Sequence, residues 1–328
     1  MSISLTNVQQ TEFDALVKIE YRSRGFLLRD TVRLRTDIIG NTCQFRRIGQ
    51  VIANPVAYQN TIAIQDPGLT AQTAVLQKFA AGTGVDTIQD LTVNFDSRRE
   101  LAYIVAMAIG RRSDQIILDA MTSAISSSAY PLVSYQVPGN MVGTNPGPTV
   151  ETNMNVFKMR QLVEYFDRDA VPVEQRFLAI TGNALRNLLY SDRVLSRFYT
   201  SNDAAVDGTL NYKELFGLNI RVIPDMSEGG LPNGTGGAVN TQGYSTNRIC
   251  FAWHSLALGM AIGQDMRTEV SYLPRETTWF VNGLFFAGAT VVDPRGFFCV
   301  SVNETFSESV LPNSAATSGN VVNPYGNN

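Results

Sequence analysis

With 328 residues, 44% of them hydrophobic, the chain can build about two domains' worth of core, which excludes disorder throughout. No apolar run reaches the roughly 18 residues of a membrane span, and the opening MSISLTNVQQTEF lacks the layout of a secretion signal, so a chain of cytosolic origin with no membrane partner is expected. The net charge of −3 gives no global attraction to nucleic acid, and Cys43, Cys250 and Cys299 are too few and too scattered for a disulfide framework, so reduced, buried thiols are expected.

Charge is unevenly placed. Residues 12–50 hold eight basic side chains (Lys18, Arg22, Arg24, Arg29, Arg33, Arg35, Arg46, Arg47) against five acids, and arginine outnumbers lysine 22 to 4 in the chain. Planar, weakly hydrated guanidinium groups suit ion pairing across interfaces. In chain order, Phe13, Leu16, Val17 and Tyr21 suggest a helix, and FLLRDTVRLRTDIIGNTCQFRRIG then reads as an extended arm with short strands. From 45 to 91, strand-like pieces are broken by ANPVAYQNT and QDPGLT, which is hairpin chemistry on a long excursion from the core.

SRRELAYIVAMAIGRRSDQIILDAM, residues 97–121, opens one long helix. Ser97 and Glu100 have capping-box spacing with Asp96 just before, and Leu101, Val105, Ile109, Ile116 and Ala120 share one face. The pattern holds to the serines at 126–128, giving roughly thirty residues and about 45 Å. Gly110 projects from the opposite side, where a close neighbour would explain it. Arg112 sits at the edge of the stripe, where its charge must snorkel outward, meet a carboxylate or reach another subunit. The stretch VPGNMVGTNPGP then reads as a linker or surface loop.

A second unit alternates helix and strand. Val156, Met159, Leu162, Val163 and Phe166 mark a helix, residues 176–180 a strand, and TGNALRNLLYSDRVLSRF a helix capped by Thr181 or Asn183. LFGLNIRVIPD reads as a helix end, a turn at Gly217 and a buried strand. Residues 227–247 form a long glycine-rich loop, residues 248–302 several strands, and the last twenty or so a tail with no core-forming pattern. The whole is a layered α+β protein.

No catalytic set, cofactor cradle or metal site emerges. His254 is the only histidine, which excludes paired-histidine metal sites, and no G-x-S-x-G accompanies it; a structural role is expected. No lysine precedes Ser or Thr, which excludes a phosphate-binding Walker loop. The glycines at 234, 236 and 237 follow no strand-to-helix pattern, and Asp167 and Asp169 read as a solvated helix end. Arg46 and Arg47 are suited either to phosphate or to the polar edge of a hairpin.

Several segments, in order, resemble the major capsid proteins of tailed double-stranded DNA phages with the Hong Kong ninety-seven fold: FRRIG, DTIQDL, AIGRRSDQIILDAM, LFGLNIRVIPDM and FFAGATVVDPRGFFCVSV. The resemblance implies an N-terminal arm over 1–44, an extension loop (β-hairpin) over 45–91, a peripheral domain with a spine helix over 92–149, an axial domain over 150–260, a return to the peripheral domain over 261–305 and a tail over 306–328. It also implies pentamers and hexamers closing into an icosahedral virion capsid assembled in the host cytoplasm. Portal, scaffolding and decoration proteins, with nonspecific contact to packaged DNA, are the partners implied. Arg22, Arg24, Arg29, Arg33, Arg35, Arg46, Arg47, Lys78 and Arg112 are the subunit-interface candidates. Some relatives cross-link their loop through a lysine; Lys78 does not match that position, so no covalent cross-link is expected. Three competing readings are an encapsulin-type nanocompartment shell, a hydrolase using His254, and a binding module using the 227–247 loop.

Overall fold

The computed structural model describes residues 25–56, 58–62, 64–88, 97–126, 136–137, 152–189, 214–234 and 246–304. Arg22, Arg24, Asp96, the helix expected near Phe13, the linker after residue 130, the later part of the helix expected beyond Leu189, most of the glycine-rich loop and the tail lie outside them.

Two sheets organise the molecule. In chain order the strands are β1 (Arg33–Arg35), β2 (Thr42–Ile48), β3 (Leu69–Val75), β4 (Gln77–Asp86), β5 (Gln136–Val137), β6 (Arg176–Thr181), β7 (Glu214–Leu215), β8 (Leu218–Ile223), β9 (Asn247–His254), β10 (Leu258–Leu273), β11 (Thr278–Val291) and β12 (Phe297–Asn303). The helices are α1 (Ser97–Ser126), α2 (Val156–Arg168) and α3 (Gly182–Leu189). One sheet has the order β1-β10-β11-β4, the other β5-β12-β9-β6-β8-β7, and among the described strands β2 pairs only with β3.

The stripe on α1 explains where that helix sits. Val105 and Ile109 are buried against β11, where Gly283 makes room: a Cβ there would fall 2.4 Å from Ile109 and 2.6 Å from Val105. Each such fully buried side chain contributes about 1.5–3 kcal/mol. The central strands of the six-stranded sheet, β6, β9 and β12, are buried on both faces, and all six residues of β6 are buried, as expected of a strand that pairs parallel with β8. Asn155 caps α2 by accepting from the Lys158 amide at 2.9 Å, and Phe166 meets Phe298 edge-on at 4.7 Å. Thr181, one of the two expected caps of α3, accepts from the Ala184 amide at 3.2 Å.

Three features depart from the sequence expectations. The residues before Gly217 form no helix end; β7 pairs with β8 around a two-residue turn in which Phe216 and Gly217 have φ of 54° and 73°. Positive φ at both central positions is the hairpin-turn geometry, and a leucine-rich flank masks it in the sequence. Strand β12, expected with 261–305 beside α1, instead pairs antiparallel with β9, Val300 opposite Cys250, because its run of apolar side chains is buried on both faces. The hairpin expected over 45–91 starts at Thr42, and β4 leaves it to pair along β11.

Residues 25–32 tie the two sheets together. The Asp114 carboxylate on α1 accepts from the amides of Leu27 and Leu28, each at 3.0 Å, and the Trp253 indole donates to the Thr31 carbonyl at 3.1 Å. Gly25, at φ 73°, is the close neighbour of Gly110, whose carbonyl carbon a Cβ on Gly25 would approach to 1.9 Å. Burial pushes Asp114 up to about 6, against the pull of the two amides and with help from the Asp30 charge. A carboxyl that holds its proton more tightly when docked favours docking fully below pH 3.8, its ordinary value, and loses that contribution as pH rises through about 6. Hydrogen-exchange protection of residues 25–32, corrected for intrinsic rates, is therefore expected to fall about 100-fold relative to Asp114→Asn between pH 4 and 7; a constant ratio contradicts this.

Candidate subunit-contact surfaces

The β2–β3 hairpin is anchored at its base and uncovered beyond it. Along β2, Cys43 and Phe45 point inward while their neighbours face out. With Ala74, Leu76, Ala261 and Val292 they form a small second core. Phe45 fills the space over Gly259, where a Cβ would come within 2.8 Å of the ring. Further out, the Gln65 side chain bonds both the amide and the carbonyl of Ile52, at 2.9 and 2.8 Å, and the Gly49 amide donates to Gly68 O at 3.0 Å. Gly49 cannot carry a side chain, since a Cβ would lie 1.9 Å from the Pro67 carbonyl.

These bonds fix the hairpin's shape and leave its apolar side chains in water. Eight large hydrophobic residues at 48–69 are exposed, among them Tyr58 at 104%, Ile64 at 101% and Ile62 at 78%. Single exposed isoleucines are ordinary; a run of them along one projecting hairpin marks a contact surface.

The interface candidates divide by what they already touch. Arg29 grips Asp265 with two bonds, 3.0 and 2.6 Å, and the hydrogen bond from Arg29 holds Asp265 below the usual carboxylate range. Arg47 pairs with Asp293 at 2.7 Å. Burial alone would raise Asp293, but hydrogen bonds from Arg295 and the charges of Arg47 and Arg295 hold it low. Arg33, Arg35 and Arg46 line one open groove of about 670 Å³ with Asp37 its only acid. Arg33 lies 5.8 Å over the Phe45 ring, and Arg35 donates to Gln44 O at 3.3 Å. Lys78 is exposed on β4, opposite Phe286. Arg112 lies 4.4 Å over the Phe79 ring and meets no carboxylate among the described residues.

The pairing carboxylates escaped sequence reasoning. Asp293 carried one readable signal, its place just before Pro294 at the start of a short helical turn, where its side chain accepts from the Arg295 amide at 3.1 Å. Asp114 carried another, as a lone acid between the apolar Ile109 and Ile116.

Among the described residues, nothing around His254 resembles a hydrolytic centre. Its Nδ1 accepts from the Leu256 amide at 3.2 Å, and burial lowers its proton affinity. The adjacent Ser255 hydroxyl donates to Gln175 at 2.6 Å. Among the described residues no group of His, Cys, Asp and Glu is placed to hold a metal, and no helix is long and apolar enough to cross a membrane.

A family model described as "Phage capsid protein" matches residues 5–304. No curated protein matches the sequence. Among solved structures, the chain is similar to the capsid of cyanophage P-SCSP1u, at 16% identity and a TM-score of 0.65, over 90% of this chain and 93% of that one. The cyanophage Pam1 capsid aligns with a TM-score of 0.66 at 12% identity, over 92% and 99% of the two chains. A structure from Mycobacterium phage Che8 gives 0.62 at 16% identity, over 93% and 100%.

Burial pushes the Cys250 thiol up to about 12 and the Cys299 thiol up to about 11, and Cys43 is buried as well. A thiol-specific reagent at pH 8 is expected to label none of the three in the folded protein and all three after denaturation. Rapid labelling of Cys250 in the native state would contradict the packing of the six-stranded sheet.

Proposed function

The chain belongs to the phage capsid protein family, and from that premise we propose that it is the major shell subunit of a tailed double-stranded DNA phage, assembling as pentamers and hexamers. Its fold is the α+β Hong Kong ninety-seven-like capsid fold, and it is a structural protein rather than an enzyme. In this reading residues 1–44 are the N-terminal arm, 45–91 the extension loop that lies over a neighbouring subunit, and α1 the spine helix of the peripheral domain. The axial domain spans 150–260. The β10–β11 hairpin returns to the peripheral sheet, and β12 stays with the axial sheet it pairs with.

The observation that carries the reading is the uncovered apolar hairpin. A monomer gains nothing by projecting Ile62, Ile64 and Tyr58 into water, whereas a shell buries them under or over its neighbours. The open groove of Arg33, Arg35 and Arg46 supports a weak, salt-sensitive contact with DNA phosphates. Portal, scaffolding and decoration proteins complete the assembly in the host cytoplasm.

Purified protein is expected to form five- and six-fold rings or closed shells in negative-stain electron microscopy, with a mass to match by light scattering. Nuclease-resistant DNA inside particles from infected cells separates a genome shell from a nanocompartment. A uniform monomer or dimer under assembly conditions, with or without a scaffold, contradicts the shell reading.

A further inference from the structure

The walls of the arginine groove belong to two different parts of the molecule. One wall is β1, held to the four-stranded sheet with Arg33 opposite Gly259 and Arg35 opposite Ala261. Residues two apart on a strand leave the same side, about 7 Å apart, so both side chains serve the groove that they line. The other wall is β2 of the projecting hairpin, where exposed Arg46 follows the buried Phe45. The groove of about 670 Å³ is therefore the seam between the hairpin and the body.

Like charges face each other across that seam. Arg29 and Arg47 each hold an aspartate from a distant part of the chain, but Arg33, Arg35 and Arg46 make no ion pair among the described residues. Asp37, the groove's one acid, accepts instead from the Thr36 hydroxyl at 3.3 Å. Three cations against one anion leave a net repulsion between the walls.

The contacts that cross the seam position the arginines and leave most of their donors unused. The Arg33 guanidinium lies 5.8 Å over the Phe45 ring, whose face attracts the charge without accepting the in-plane N–H bonds. Arg35 uses one N–H on the Gln44 carbonyl at 3.3 Å. Planar forks of donors on both walls call for an anion with several oxygens. A carboxylate has two oxygens in one plane and matches one fork, whereas the tetrahedral oxygens of a phosphate can accept from forks on both walls at once.

We propose that a phosphate group bound between Arg33 and Arg35 on β1 and Arg46 on β2 braces the hairpin against the body: like charge holds the empty seam apart, and the anion draws the filled one together. Occupancy of the groove then sets how firmly the projecting hairpin is carried. The cleft follows from the groove alone. Packaged DNA as the source of the phosphate rests on the shell reading above, and free polyphosphate is the other source of the same chemistry.

Full-length, unassembled subunits test it with two probes, a fluorescently labelled DNA duplex read by anisotropy and inorganic tripolyphosphate as its competitor. Three phosphate contacts predict that log K for the duplex falls with log salt concentration with a slope of about −2.7. Arg33→Gln, Arg35→Gln and Arg46→Gln are each expected to weaken binding and to reduce that slope by about 1. Arg267→Gln removes an equal charge where Arg267 pairs with Glu269 on β10, and is expected to change neither. In hydrogen exchange, either probe at about ten times its Kd is expected to slow the amides of residues 33–35 and 42–48 together by about tenfold in wild type and not in Arg46→Gln. No binding of either probe, or equal weakening by Arg267→Gln and the groove variants, overturns the site; binding that leaves exchange unchanged overturns the brace. Tripolyphosphate that binds where DNA does not keeps the cleft and assigns it to free polyphosphate. Wild-type protein that forms particles and binds neither probe fails this proposal alone; protein that binds both and never assembles fails the shell reading alone.

Discussion

The large apolar side chains between Ile48 and Leu69 find no cover among the described residues of their own chain, and the rest of the structure is arranged around that fact. Eight large hydrophobic residues stand in water on a hairpin whose backbone is nevertheless held in shape by Gln65, Gly49 and Gly68. Full burial of such a set represents on the order of 10 kcal/mol per subunit before the cost of association is subtracted. Realised between copies, a free energy of that size offsets the cost of carrying exposed apolar segments.

A projecting contact element is useful only if the body behind it is rigid. Phe45 over Gly259 fastens the hairpin to β10, Gly283 lets α1 seat directly on β11, and residues 25–32 join α1 to the six-stranded sheet through Asp114 and Trp253. Buried Lys158 adds a further tie, donating to Thr152 O at 2.7 Å and Ser301 O at 2.9 Å, so that the start of α2 is fixed to β12. The joints include glycines where a Cβ would overlap a neighbour, at Gly259 and Gly283, and a buried charge with bonds to two carbonyls, at Lys158.

Local signals were the legible ones. The apolar stripe of α1 and the apolar spacing Val156, Met159, Leu162 and Phe166 of α2 are written within a few residues of where they act. Long-range pairing left no comparable trace. Asp265 and Asp293 lie 236 and 246 residues from Arg29 and Arg47, so spacing alone could not show that these two cations are already paired within the chain. The placement of β12 was missed for the same reason: an apolar strand fits either sheet by pattern, and only pairing with β9 decides. The Phe216–Gly217 turn failed differently, since phenylalanine at positive φ runs against its own preference and is held there by the strands on either side.

Hydrogen exchange across residues 42–75, compared between unassembled subunits and closed particles, tests the central claim most directly. If the hairpin is the element that neighbouring copies cover, its amides slow by at least about tenfold on assembly while those of β6, already buried, do not change. Equal exchange of residues 42–75 in both states would show that the hairpin stays uncovered in the particle, and would contradict the account.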